Sequence, residues 1–309
     1  MGYSYDLFKF GPRRRNMDNN SAITKKMVYD FLCLLIVALP ILLLKLFGQP
    51  YQRGFFCDDE TIMYPFKTST VPNYALYIVG LGLPIIFMLF TERHLAKDAT
   101  DDGLHSSLCG RKVPLWLSNS YKVVGVFLFG AACSQLTTDI AKYMIGRLRP
   151  HFIDICSPDV DCTQPANHFR YITEYTCKKS TTNSLLKDSR LSFPSGHSSF
   201  AAYTMIYLAL YVQVKIRWAR SYLLKNLLQF ACIAICWMTG LSRVTDYKHH
   251  WTDVTAGFII GVSAALVTAR FVSNLFEHKS KVMADCNETT ALSSTSPVIV
   301  EIKEPTIEL

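Results

Sequence analysis

Residues 28–47 read VYDFLCLLIVALPILLLKLF, with Asp30 and Lys45 as the charged side chains. As a helix rising about 1.5 Å per residue, such a run crosses the roughly 30 Å hydrocarbon layer of a bilayer. Further apolar blocks follow near Tyr74–Phe90, Tyr121–Ile145, Ser198–Val214, Tyr222–Leu241 and Thr252–Leu275. The second and fourth are the shortest. Apolar residues gather in these blocks instead of repeating at strand or helix period. The 309 residues are 50% hydrophobic and 18% charged, where soluble domains carry about a quarter charged residues. Mean hydropathy is +0.18. The expected fold is therefore all-α: a polytopic membrane protein with six transmembrane helices.

This pattern divides the chain into an N-terminal arm (residues 1–27), a transmembrane domain (28–275) and a tail (276–309). From Glu277 onward the tail is polar, rich in Ser and Thr and closed by several Glu, a composition that predicts disorder. The first block is long enough to span and lacks a small-residue cleavage site after it, so it reads as a signal anchor. Gly2 is present, but Asp6 stands where myristoylation wants Ser or Thr, and no lipid anchor is expected.

Short-loop lysines and arginines set the orientation. They cluster in the arm (Lys9, Arg13, Arg14, Arg15, Lys25, Lys26), after the second block (Arg93, Lys97, Arg111, Lys112), between the fourth and fifth (Lys215, Arg217, Arg220) and after the sixth (Lys279, Lys281). The first intervening loop instead carries Asp58, Asp59 and Glu60. Both termini are then cytoplasmic and the long loop from Gly146 to His197 faces outward. The net charge of +8 reads as topology signal, and no basic-plus-aromatic patch suggests nucleic acid.

Cys33, Cys133, Cys232 and Cys236 fall within spans and read as small apolar packers. Cys57, Cys156, Cys162 and Cys177 fall on the outer, oxidising side, where one or two disulfides are expected. Four cysteines allow three full pairings, and spacing does not choose among them. Sequons at Asn19 and Asn287 lie on the cytoplasmic side and should be unused; the long outer loop holds none.

The outer loop's own basic residues break the charge rule and need another explanation. Three polar clusters supply it. Lys142-Tyr143-Met144-Ile145-Gly146-Arg147-Leu148-Arg149-Pro150 closes the third block, and Pro194-Ser195-Gly196-His197 opens the fourth. Ser242-Arg243-Val244-Thr245-Asp246-Tyr247-Lys248-His249-His250-Trp251-Thr252-Asp253 joins the fifth to the sixth. Each alone has an ordinary explanation. Lys142 and Arg149 could be interfacial anchors, Pro194-Ser195 a helix start, and His249 with Asp253 a local i,i+4 pair. Under the expected topology all three meet at one interface, which ordinary anchors would not require.

Together these residue types suit phosphate chemistry. Lys142, Arg149 and Arg243 offer fixed positive charge, the arginines in bidentate form. Ser195 and the backbone N–H groups of Gly196 and His197 form a helix N-terminus that favours an anion. His249 can attack phosphorus while Asp253 fixes its tautomer, and His197 can protonate the leaving alkoxide and then activate water. No carboxylate cluster suited to magnesium appears, and the cysteine spacing gives no zinc signature. No metal and no cofactor are expected.

The three clusters resemble the three-part signature of the type 2 phosphatidic acid phosphatase superfamily: Lys142-x6-Arg149-Pro150, Pro194-Ser195-Gly196-His197 and Ser242-Arg243-x5-His249-x3-Asp253. Every signature position is filled, with 43 residues (151–193) and 44 residues (198–241) between the parts. The six-block layout and the run Arg147-Leu148-Arg149-Pro150-His151-Phe152 are similar to the animal lipid phosphate phosphatases, over residues 27 to 275. The resemblance implies His249 as nucleophile with Asp253 behind it, His197 as acid, and Lys142, Arg149, Ser195, Gly196 and Arg243 as phosphate-binding residues. His250, also within a turn of Asp253, is the rival nucleophile that spacing leaves open. The implied substrates are phosphatidic acid, lysophosphatidic acid, sphingosine 1-phosphate and ceramide 1-phosphate. A plasma-membrane location, homo-oligomers and a glycosylated outer loop are implied as well; the last has no sequon here. A catalytically dead scaffold relative would have lost His249, His197 or Arg243. A transporter would carry charge at mid-span and paired broken helices. A soluble vanadate-dependent peroxidase is incompatible with six spans.

Overall fold

The computed structural model describes residues 13–98, 105–108, 111–178, 182–216, 221, 223–273 and 275. Outside them lie the expectations for Gly2, Asp6 and Lys9, for Arg217 and Arg220, and for the tail with Lys279, Lys281 and the Asn287 sequon. The helices are α1 (Arg13–Phe47), α2 (Asn73–Tyr77), α3 (Leu83–Asp98), α4 (Leu115–Ile145), α5 (Phe152–Cys156), α6 (Asn183–Asp188), α7 (Gly196–Lys215), α8 (Leu224–Thr245) and α9 (Trp251–Val267). A wider turn at Ile78–Gly82 joins α2 to α3, and another at Thr268–Val272 extends α9. Strands are two short antiparallel ribbons, β1 (Phe55–Phe56) with β4 (Tyr171–Ile172) and β2 (His105–Leu108) with β3 (Arg111–Pro114).

Among the described residues five helical stretches are long and apolar enough to cross a membrane: Lys25–Phe47, Asn73–Leu95, Trp116–Ile145, Leu224–Thr245 and Trp251–Val272. They match five of the six expected blocks. The first helix begins at Arg13, inside the expected arm. The remaining block, Ser198–Val214, is helical within α7 but is not one of the five. The reason is its position. Thirteen of the twenty residues of α7 are buried, so it packs against protein on most sides and carries Ser, Thr and Tyr where a lipid-facing helix carries Leu. By contrast, the apolar window of α1 has no buried residues, and Ile36, Leu39, Leu42 and Leu43 are exposed along it.

One face of α7 holds Tyr203, Tyr207 and Tyr211, four residues apart and all buried. Tyr203 stacks on Phe127 of α4 and on Tyr207, and its hydroxyl donates to the Phe127 carbonyl at 2.8 Å. The Tyr211 hydroxyl donates to Glu92 at 3.0 Å, and Lys215 pairs with the same carboxylate at 3.2 Å. That trio, with Tyr211 and Glu92 buried and Lys215 partly exposed, lies toward the end of α7 away from the Gly196 terminus. On another face α9 packs closely. A Cβ at Gly257 would lie 2.6 Å from the Ser195 carbonyl oxygen and 2.9 Å from Ser198 Cβ. One at Gly261 would strike the Ser199 carbonyl and lie 2.6 Å from Ala202 Cβ. This spacing of four is the small-residue seam by which membrane helices approach backbone to backbone. Gly261→Leu should push α7 and α9 apart, costing about 1–3 kcal/mol or more. Thermal denaturation of the detergent-solubilised chain would register the loss.

At the Gly196 end the loops build a cap of their own. Disulfides join Cys57 to Cys162 and Cys156 to Cys177, one of the three pairings the spacing allowed. Phe55, Ile62, Leu148, Phe152 and Ile172 form the apolar centre of the cap. Cys33, Cys133, Cys232 and Cys236 remain unpaired within helices, as expected; Cys232 and Cys236 are buried and Cys33 is exposed.

Candidate active site

The end of α4, the starts of α7 and α9 and the end of α8 converge beneath the cap. Each is placed there by a local feature. α4 stops at Gly146, whose φ of +57° allows its N–H to close on the Lys142 carbonyl at 3.1 Å. A side chain at that position would collide with the Tyr51 carbonyl, so the turn requires glycine. The chain then runs extended, with Leu148 buried in the cap between Arg147 and Arg149. Two backbone bonds hold this segment against the one preceding α7: Ser192 N–H to the Arg147 carbonyl at 3.0 Å and Arg149 N–H to the Ser189 carbonyl at 2.9 Å.

Ser195 caps α7, its hydroxyl oxygen accepting from Ser198 N–H at 3.4 Å and from the Ser198 hydroxyl at 2.9 Å. Its own N–H donates to the Asp253 carbonyl at 3.0 Å, tying the start of α7 to the start of α9. The Lys142 ammonium donates to the Leu191 carbonyl at 2.9 Å. A Cβ on Gly196 would sit 3.9 Å from Lys142 Nζ, so the ammonium lies over the N–H end of α7. Arg243 is 1% exposed. Its guanidinium holds Asp246 at 3.0 Å and the Ser242 hydroxyl at 3.0 and 3.2 Å. Asp246 in turn accepts from Thr70 N–H at 2.8 Å and its hydroxyl at 2.7 Å, fastening the loop before α2. Arg149 pairs with the half-exposed Asp188 at 2.6 Å, while its Nε is buried without a partner.

Both proposed histidines lie in this pocket. The charges of Lys142 and Arg149 reach the ring of each, and that of Arg243 reaches His197. His197 Nε2 donates to the Val71 carbonyl at 3.2 Å. His249 is buried, and burial above all, followed by the charges of Arg149 and Lys142, holds its imidazole well below the ordinary pKa range. That direction favours the neutral imidazole. The expected hydrogen bond from His249 Nδ1 to Asp253 is not made: the separation is 3.7 Å, too long by ordinary criteria. Asp253 is occupied. Oδ1 accepts from Arg147 at 2.6 Å. Oδ2 accepts from the Ser192 hydroxyl at 2.5 Å, His250 N–H at 3.0 Å and His250 Nδ1 at 3.1 Å. His250 thus serves as the entrance residue of α9, and its Nε2 is buried without a partner. Catalytic hydrogen bonds often run long in the free enzyme and tighten with substrate.

All eight residues singled out from sequence lie on these converging elements. Four others at the site were not foreseen. Arg147 and Ser192 anchor Asp253. His151, fully buried, donates from Nδ1 to the Tyr247 carbonyl at 2.7 Å, clasping the loop that carries His249. Tyr247 adopts φ +54° there. Burial lowers the pKa of His151 to about 4, so the clasp is neutral. Lys248 is the fourth. Arg147, His151 and Lys248 stood within the quoted runs, but nothing in their spacing marked them. Among the described residues no group of three or more His, Cys, Asp and Glu is arranged to hold a metal ion.

Comparison with known proteins adds an independent line. The model of the PAP2 superfamily matches residues 123–277, a span that includes all three clusters. The chain is 43% identical over 277 residues to phospholipid phosphatase 1 of Mus musculus, covering 86% of this chain and 92% of that protein. It is 40% identical over 262 residues to phospholipid phosphatase 2 of Mus musculus, with 84% and 89% covered. With phospholipid phosphatase 2 of Homo sapiens it shares 40% identity over 252 residues, with 80% and 83% covered. No solved structure matches it.

Proposed function

The chain belongs to the PAP2 superfamily and is an integral-membrane lipid phosphate phosphatase, and from that premise we propose how it works, on which lipids and on which side of the membrane. The substrates are phosphatidic acid, lysophosphatidic acid, sphingosine 1-phosphate or ceramide 1-phosphate, and the products are the dephosphorylated lipid and inorganic phosphate. His249 Nε2 attacks phosphorus and a phosphohistidine forms as the bond to the lipid oxygen breaks. His197, entering the step as the imidazolium, gives that oxygen a proton from Nδ1, releasing a neutral alcohol and leaving its own ring neutral. Water then attacks the phosphohistidine and passes its proton to His197, and phosphate leaves with His249 restored. Lys142, Arg149 and Arg243, with Ser195 and the N–H groups of Gly196 and His197, hold the equatorial oxygens, where charge accumulates in the transition state. Asp253, 3.7 Å from His249 Nδ1 in the free chain, closes on that nitrogen when substrate binds and so sets the ring. With His197 Nε2 engaged by Val71, Nδ1 is the nitrogen that exchanges the proton.

The observation that carries this reading is the Lys142 ammonium over the N–H end of α7 together with a buried His249 whose ring the charges of Lys142 and Arg149 reach. The same charges favour His249 over His250, whose Nδ1 is committed to Asp253. Six passes place both termini in the cytoplasm and the site outside, at the depth of outer-leaflet headgroups. Two disulfides on the site's own side suit a non-reducing space. Residues 28–275 form the catalytic domain, the flanking 1–27 and 276–309 lie in the cytoplasm, and the protein resides in the plasma membrane as a homo-oligomer. The test is phosphate release from a panel of lipid phosphates added outside intact cells, in chelator, comparing the native chain with His249→Ala. Release by both chains equally would remove the assignment of His249; release only after permeabilisation would reverse the topology.

Arg243→Lys keeps the charge but loses the planar fork that holds Ser242 and Asp246 together. Turnover should fall by about one to two orders of magnitude, the worth of one or two charge-assisted hydrogen bonds. Steady-state kinetics on a soluble short-chain lipid phosphate measures it.

A further inference from the structure

The mechanism above employs three cations at this end of the bundle and leaves another unexplained. Lys248 is 7% exposed, and its ammonium sits 3.6 Å from the centre of the Phe66 ring. Among the described residues no carboxylate stands within ion-pair distance of it. The two that bear on it are taken: Asp188 is held by Arg149 at 2.6 Å, and Asp246 by Arg243 at 3.0 Å and by Thr70. A largely buried lysine whose ammonium has no counter-ion is a ready place for an arriving anion, and the aromatic face offsets only part of the desolvation cost. The surroundings deepen the surplus, since Arg149 and Arg243 both bear on Lys248. The backbone fixes the turn, the N–H groups of Lys248 and His249 sharing the Arg243 carbonyl at 3.0 and 3.1 Å. That shared turn sets Lys248 beside the nucleophile.

We propose that Lys248 is a further phosphate-binding residue, a fourth cation added to Lys142, Arg149 and Arg243, with Phe66 as the platform that positions its ammonium. The inference rests on the phosphate-site reading and extends it to a residue outside the three-part signature. Phe66 is itself fixed, its N–H donating to Asp154 at 2.8 Å and its ring meeting the His151 ring edge-on at 5.2 Å. The groups facing Lys248 are Arg149 and Asp188 from the cap side, Arg243 and Asp246 from the end of α8, and His151 beneath. Burial first, then Arg149, lowers the ammonium's pKa to about 8, with Asp188 opposing. In the free enzyme its charge is therefore present at neutral pH and is lost as pH rises through that value.

The experiment uses inorganic phosphate as a competitive inhibitor of the solubilised full chain. At pH 7, Lys248→Met should raise the Ki of phosphate about tenfold or more, the loss of one charge-assisted contact, while Lys248→Arg stays near the native value. Between pH 7 and 9 the native Ki should climb more steeply than that of Lys248→Arg, whose charge persists. A folded Lys248→Met chain with Ki within about twofold of native would overturn the proposal. Should that variant fail to fold, parallel pH profiles for the native chain and Lys248→Arg would overturn it equally. A native chain that phosphate does not inhibit would sink the underlying phosphate-site reading, and this inference with it; inhibition unaffected by Lys248 would sink this one alone.

Discussion

His249→Ala is expected to lower phosphate release from lipid phosphates by about three orders of magnitude or more, with the chain still folded and in the membrane. The size follows from what the imidazole does. It supplies the bond-forming electron pair, and the charges of Lys142 and Arg149 that reach it would offset those of an incoming phosphate. The side chain is 2% exposed, and its Nδ1 makes no hydrogen bond, so removal forfeits no hydrogen bond there and costs chiefly the cavity it leaves, about 2–4 kcal/mol. His250→Ala is the control. His250 contributes to the start of α9 through Asp253, so its loss should lower stability more than it lowers turnover. Radiolabelled phosphate trapped on the native chain by acid quench, and absent from His249→Ala, would identify the intermediate; label persisting in the variant would move the nucleophile to His250.

Asp253→Asn should be nearly as damaging by another route. Its carboxylate is fully buried and faces four donors from three segments: Arg147, the Ser192 hydroxyl, and the backbone and ring of His250. An amide presents one acceptor and one donor there, so at least one of those groups meets N–H with N–H. Breaking a buried charged contact of this kind costs about 3–5 kcal/mol, read as a lowered midpoint of thermal unfolding in detergent. Activity should fall by about two orders of magnitude or more, because the tautomer of His249 is no longer set. Full activity with unchanged melting would show that Asp253 neither orients the ring nor holds the segment between α4 and α7.

Much of the site was legible because its chemistry demands particular residue types at helix ends. Lys142, Arg149, Ser195, Gly196, His197, Arg243, His249 and Asp253 stood out as polar residues where apolar helices begin or stop. What stayed hidden depends on pairing across long separations. Ser192 looks like one more loop serine until Asp253 closes on it from 61 residues away. Arg147 looks like half of an arginine pair until it turns to α9 while Arg149 turns to Asp188. The cysteines were legible as a set but not as partners, since the separations of 105 and 21 residues are settled by the cap's apolar core. The blocks facing lipid were legible from hydropathy alone. The block of α7 was the faintest of the six because hydropathy measures what faces lipid, and α7 faces protein.

That last property bears on how the chain is made. A segment that carries Ser198, Ser199, Tyr203, Thr204, Tyr207 and Tyr211 on contact faces has little drive of its own to leave the translocon for lipid. Two of its partners, α8 and α9, are synthesised after it. Full burial of α7 therefore waits until Gly257 and Gly261 emerge to receive it, which makes the last third of the molecule an assembly checkpoint as well as the bearer of His249.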